Sequence, residues 1–128
     1  MNKILILLLS LLISFNSYGK WKAVTVAEDG IVHVDFDGIK TNKNIFYWQM
    51  IDLFEPNPKQ QALSVQYFYE LNCTEPRRQR MLSISAYSES MGHGAALFSS
   101  QVTDDWGYFR PNSISKEVAT EVCDYVYQ

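Results

Sequence analysis

Two cysteines, Cys73 and Cys123, constrain this chain more than anything else in it. They stand 50 positions apart, the first near the middle and the second close to the end. In an exported chain they read as one disulfide, because the compartment is oxidising and neither has another partner. Closing a loop of that length is worth roughly 4 kcal/mol in the chain-entropy picture. That is a large share of the total stability of a small domain. Around Cys123 the apolar residues Ile114, Val118, Val122 and Tyr125 or Val126 recur at helical spacing, and Ala119 and Cys123 widen the stripe. The stretch from Pro111 to Val126 is therefore expected to hold an amphipathic helix capped at Ser113. Lys116, Glu117, Thr120, Glu121 and Asp124 fall on its outer face. About three turns of helix are marginal alone. It needs a sheet to lie on, and the disulfide says where.

Export is read from the beginning of the chain. Lys3 precedes an apolar run, Ile4 to Ile13, broken by Ser10, and Ser17 and Gly19 place small residues three and one positions before Lys20. This is the pattern of a secretory signal peptide over residues 1–19, too short for a stable membrane anchor, with residues 20–128 forming one domain. No cysteine lies near the expected cut, so there is no attachment point for a lipid. Lys3 is the one charged residue ahead of the cut, so the mature chain is more negative than the −3 of the full sequence. Such a domain has no overall attraction to nucleic acid or to anionic lipid.

Alternation dominates the middle of the chain. Val24 and Val26, a Glu28-Asp29-Gly30 turn, then Val32, Val34 and Phe36 predict a β-hairpin. Asp37-Gly38 ends it, and Ile39 to Asn44 reads as a loop or a single helical turn. Ile45 to Phe54 is apolar at most positions and predicts a strand at least partly covered on both faces, with a buried helix as the competing reading, stopped by Pro56 and Pro58. Leu63 to Cys73 alternates: Leu63, Val65, Tyr67, Tyr69, Leu71 and Cys73 on one face, Ser64, Gln66, Phe68, Glu70 and Asn72 on the other. Arg80 to Glu89 follows, with Leu82, Ile84 and Ala86 on one side and Met81 and Tyr87 on the other. After a glycine turn around His93, Ala95 to Ser99 and Gln101 to Arg110 read as two more strands. The fold class is α+β: an antiparallel sheet of about six strands, with a C-terminal helix packed on one face and tethered by the disulfide.

The usual constellations of catalysis do not assemble. The two histidines lack ligands at zinc spacing, and the cysteines are better used as a disulfide. His33 in a strand and His93 in a turn read as surface or rim residues. No serine sits in a nucleophile elbow, and phosphate-cradling glycine patterns are absent. Asp35 with Asp37, and Asp104-Asp105, read as solvated turns before they read as acid/base pairs. Neither catalytic residues nor a cofactor or metal site is expected. Two features point to binding instead. Arg77, Arg78 and Arg80 form a basic cluster that serves an acidic partner or else braces the helix end at Glu121, Asp124 or the terminal carbonyls. Phe68 and Tyr87 fall on the face opposite the helix, where exposed rings would suit a protein partner or a second copy of the chain.

Ordered short motifs across nearly all of the mature chain give a resemblance. They are Trp21, Asp37-Gly38-Ile39, Trp48, Tyr69-Glu70-Leu71-Asn72-Cys73, Arg77-Arg78-Gln79-Arg80, Tyr87, Met91-Gly92-His93-Gly94, Trp106, and Pro111-Asn112-Ser113 leading to Cys123. Together they resemble the surface-adhesin protein E family of Gram-negative bacteria. Asn112 stands where that family often has glycine. The resemblance implies a non-enzymatic adhesin for host extracellular-matrix or serum proteins, sometimes dimeric, located in the periplasm or at the cell surface. The alternative expectation is a soluble periplasmic accessory or structural protein.

Overall fold

A computed structural model describes residues 20–128 of the chain, so the expected signal peptide lies outside the described residues. Six strands run side by side in the order β1 (Trp21–Val26), β2 (Gly30–Asp35), β4 (Asn44–Leu53), β5 (Ser64–Asn72), β6 (Arg78–Tyr87) and β7 (Ala96–Gln101). Two short strands complete the sheet: β3 (Lys40–Asn42) pairs with β4, and β8 (Gly107–Tyr108) pairs with β6. Every pairing is antiparallel. One helix, α1 (Ile114–Val126), follows the sheet. The α+β architecture read from alternation and cysteine placement is the one observed.

The sheet is built where side chains repay it. In β4, Ile45, Tyr47 and Met50 are buried on a strand whose other residues are half-covered, so both faces are in use. The hairpin turn before β2 needs Gly30. A Cβ there would run into the backbone oxygen of Asp52 on the neighbouring strand, so only glycine permits that approach.

The helix buries Val118, Ala119, Val122 and Cys123 against Val32, Val34, Ile45, Tyr47 and Leu71. Burying a valine fully is worth about 1.5–3 kcal/mol, so this stripe holds the helix more firmly than its own propensity does. Ser113 caps it as expected, its hydroxyl accepting from the Lys116 amide at 3.1 Å. The Cys73–Cys123 bridge joins the helix to the end of β5, with Cα atoms 6.0 Å apart. A smaller cluster of Ala62, Val65 and Ala86, with Ile51, Leu53, Tyr67 and Ile84 around it, lies further along the sheet.

Three expectations need correction. Lys40 to Asn42 is a strand rather than a loop or helical turn, because the backbone turns back through Lys43 at φ 63° and pairs with the start of β4. Gln101 to Arg110 is mostly irregular; its amides follow the edge of β6, Val102 donating to the Leu82 carbonyl and Asp104 to that of Met81. β6 does not keep one alternation. Phe68 pairs with Ser83 and Tyr69 with Met81, so Leu82 is an extra residue, a β-bulge. Ile84 and Ala86 face the helix side, and beyond the bulge Met81 and Gln79 do so too, which sends Arg80 and Arg78 to the opposite face.

Candidate functional site

The face opposite the helix carries four of the sequence-predicted binding residues, Phe68, Arg78, Arg80 and Tyr87, but not Arg77. β4 contributes Phe46 and Trp48, β5 contributes Phe68, Glu70 and Asn72, and β6 contributes Arg78 and Arg80, all placed by the register. Trp48 and Phe68 sit with ring centroids 4.7 Å apart, and Phe46 stacks on Phe68 at 6.2 Å. Beside them is a polar cluster. Arg80 Nε donates to Glu70 Oε1 at 2.7 Å, Asn44 donates to the other carboxylate oxygen at 2.9 Å, and Asn72 donates to Asn44 at 3.1 Å. Glu70 is buried, so these donors replace the water it loses.

Trp106 lies against two guanidinium groups, Arg80 at 4.6 Å and Arg78 at 5.1 Å from its ring centroid. Such contacts are worth about 0.5–1 kcal/mol at an exposed site and more when desolvated. The Nε of Arg78 is buried without a hydrogen-bond partner, so this side chain is held by the ring instead. Trp106 comes from the irregular segment before β8, where no alternation could have placed it.

The three arginines thus part company. Arg77 is the one that braces the helix, its Nη1 donating to Thr120 Oγ1 at 3.5 Å, while its Nε meets Glu75 at 3.3 Å. Arg78 and Arg80 turn to the open face, and the partners expected for the cluster, Glu121 and Asp124, are not the ones these contacts use. Phe68 and Tyr87 share that face but are half-buried rather than exposed. Phe68 is flanked by Phe46 and Trp48. Near Tyr87, the 3-10 turn Ser90–Gly92 folds back on the sheet, the Met91 amide donating to Asp52 and the Gly92 amide to Ser64, both at 2.9 Å.

Other candidates resolve into structure. His33 is buried, not at the rim, with Nδ1 3.1 Å from the Ile31 carbonyl. Asp35 accepts from the Gly38 amide at 3.1 Å and so shapes a turn. Asp104 and Asp105 line a cleft of about 350 Å³ between β6 and the helix start. There Tyr69 is pushed well above the ordinary phenol range, by burial first and then by Tyr67 and Asp104. Among the described residues no group of His, Cys, Asp and Glu is placed to hold a metal ion. Among them, too, no helix is long and apolar enough to cross a membrane.

A single antiparallel sheet with a C-terminal helix bridged across one face, and aromatic and arginine side chains on the opposite face, defines a sheet-and-lid α+β domain. The sequence profile of the surface-adhesin protein E family matches residues 21–124. This chain belongs to that family, a family of adhesins. Solved structures of Haemophilus influenzae protein E share the fold. One is 18% identical at a TM-score of 0.63, over 85% of this chain and 88% of that one. A second crystal form is 18% identical at 0.62, over 82% and 94%, and protein E from a non-typeable strain is 16% identical at 0.61, over 82% and 76%. No curated protein sequence matches significantly. The Asn112 that departs from the family pattern sits at φ 60°, the left-handed conformation that glycine adopts freely and asparagine tolerates.

Proposed function

We propose that this is an exported, non-enzymatic adhesin-type protein that binds another protein through its open sheet face. The observation that supports this reading is the composition of that face. Phe46, Trp48 and Phe68 pack as one aromatic cluster next to a tryptophan clamped by two arginines. Tryptophan and arginine are the side chains most enriched at interface hot spots, and rings fixed in advance lose little freedom on binding. Host extracellular-matrix and serum proteins are the partner class that family membership suggests.

The test is binding of the disulfide-bonded domain to immobilised matrix and serum proteins, with Phe68→Ala and Trp106→Ala as variants. The expected loss is about thirtyfold, that of a 2 kcal/mol hot-spot residue, with most of the melting temperature retained. Binding to nothing, or binding that both variants leave unchanged, overturns the reading. Labelling of intact cells separates a surface protein from a soluble periplasmic accessory protein, which osmotic shock releases.

Self-association is a second reading, favoured by the terminal strand β7. Leu97 and Phe98 there are 44% and 42% exposed, and Ala95 to Thr103 holds neither charge nor proline. Such an edge is a ready template for another strand.

A further inference from the structure

At the end of the sheet remote from the disulfide, the β1–β2 turn meets the loop that follows β4. The Phe54 amide donates to the Asp29 carbonyl at 3.0 Å and joins them. Between them is a groove of about 440 Å³. Leu53, Phe54, Pro56 and Pro58 give it an apolar lining, and Glu28, Asp29 and Glu55 supply three carboxylates. No lysine or arginine lines it; Lys59 stands one residue beyond.

Two properties set this groove apart from an ordinary solvated loop. Phe54 is 58% exposed, the most exposed phenylalanine among the described residues. The loop is also fixed in shape. Asn57 Oδ1 accepts from the Lys59 and Gln60 amides at 2.9 and 3.2 Å, and the Asn57 amide donates to the Ala62 carbonyl at 2.8 Å. Two prolines restrict the backbone further. Little order remains to be imposed when something binds.

We propose that this groove receives an extended segment of a partner protein in which an apolar side chain is flanked by lysine or arginine. The apolar group covers Phe54 and the prolines, and the cations meet the three carboxylates. Charge complementarity selects this occupant over a second copy of the chain, which is acidic overall and whose clustered arginines are engaged by Glu70, Glu75 and Trp106. The groove lies on a different surface from the open face, so it stands or falls independently of the function proposed above.

The test uses the folded domain and two fluorescein-labelled peptides, Gly-Lys-Trp-Lys-Trp-Lys-Gly and its glutamate counterpart, read by fluorescence anisotropy. The basic peptide is expected to bind the unmodified protein and the acidic one not to. E28Q/D29N/E55Q should weaken binding at least about tenfold, and Phe54→Ala about fivefold. The matched control E117Q/E121Q/D124N removes three exposed acids from the outer face of α1 and should bind as the unmodified protein does. If the groove variant melts early, Glu55→Gln alone carries the test, with about a threefold expected loss. Equal losses in the groove and helix variants would show that net charge alone matters and overturn the proposal. So would unchanged affinity in the groove variant, or no binding of the basic peptide at all.

Discussion

Tyr47, Tyr67 and Tyr69 form a row across β4 and β5 on the helix side, their centroids 5.6 Å (Tyr47 to Tyr69) and 5.9 Å (Tyr67 to Tyr69) apart. Each is held above the ordinary phenol value of 10.0, with burial as the leading cause. Tyr69 adds to the effect on Tyr47, and the Tyr47 hydrogen bond to Gln79, 2.8 Å long, opposes it. Asp29 adds to the effect on Tyr67. The stability these groups contribute is fully present below pH 10, since both folded and unfolded phenols are then neutral. Above it the unfolded chain sheds protons that the folded one keeps, so stability falls as pH climbs toward the folded-state values. Urea midpoints measured between about pH 8 and about pH 11 should therefore drop, and Tyr69→Phe should flatten the drop. A slope unaffected by that substitution would remove Tyr69 from the account.

The helix is the element whose position most depends on one bond. Its buried stripe is four side chains long, and Arg77 touches it through Thr120, near its middle. No basic residue lies in its last turn to meet the final carbonyls. Replacing both cysteines with alanine should cost about 2–4 kcal/mol, read from denaturant midpoints. Amide exchange should speed up first over residues 114–126, because local opening follows the weakest attachment. Equal acceleration in β4 and β5 would show instead that helix and sheet open together. This element was legible in advance because a 3.6-residue period, a serine cap and a cysteine agree on one surface. β3 was not. Lys40, Thr41 and Asn42 have no apolar pattern and become a strand through the pairing that β4 offers. Trp106 was equally hidden, since its place depends on two guanidinium groups rather than on a ladder.

The whole molecule is a sheet with unequal edges and unequal faces. β1 is guarded at its rim by Lys22 and by a bulge at Val24, whereas β7 has a bulge at Leu97 but neither a charge nor a proline. Phe98→Lys should lower any concentration-dependent association seen by sedimentation, with little change in melting temperature. Association that survives this substitution would move the contact elsewhere. The faces were legible from β5, whose alternation is unbroken from Ser64 to Asn72, and this placed Phe68 correctly opposite the helix. They were misread along β6, where counting by twos cannot reveal an extra residue. The exclusion of that residue, Leu82, from the ladder carries the face assignment, rather than the identity of its side chain. A substitution there changes one side chain. Deleting Leu82 would close the bulge and leave Arg78 and Arg80 on the open face, whereas drawing it into the ladder opposite Tyr69 would carry the first part of β6 through a half-turn, taking Arg78 and Arg80 under the lid and bringing Gln79 and Met81 outside, with every one of those residues unaltered.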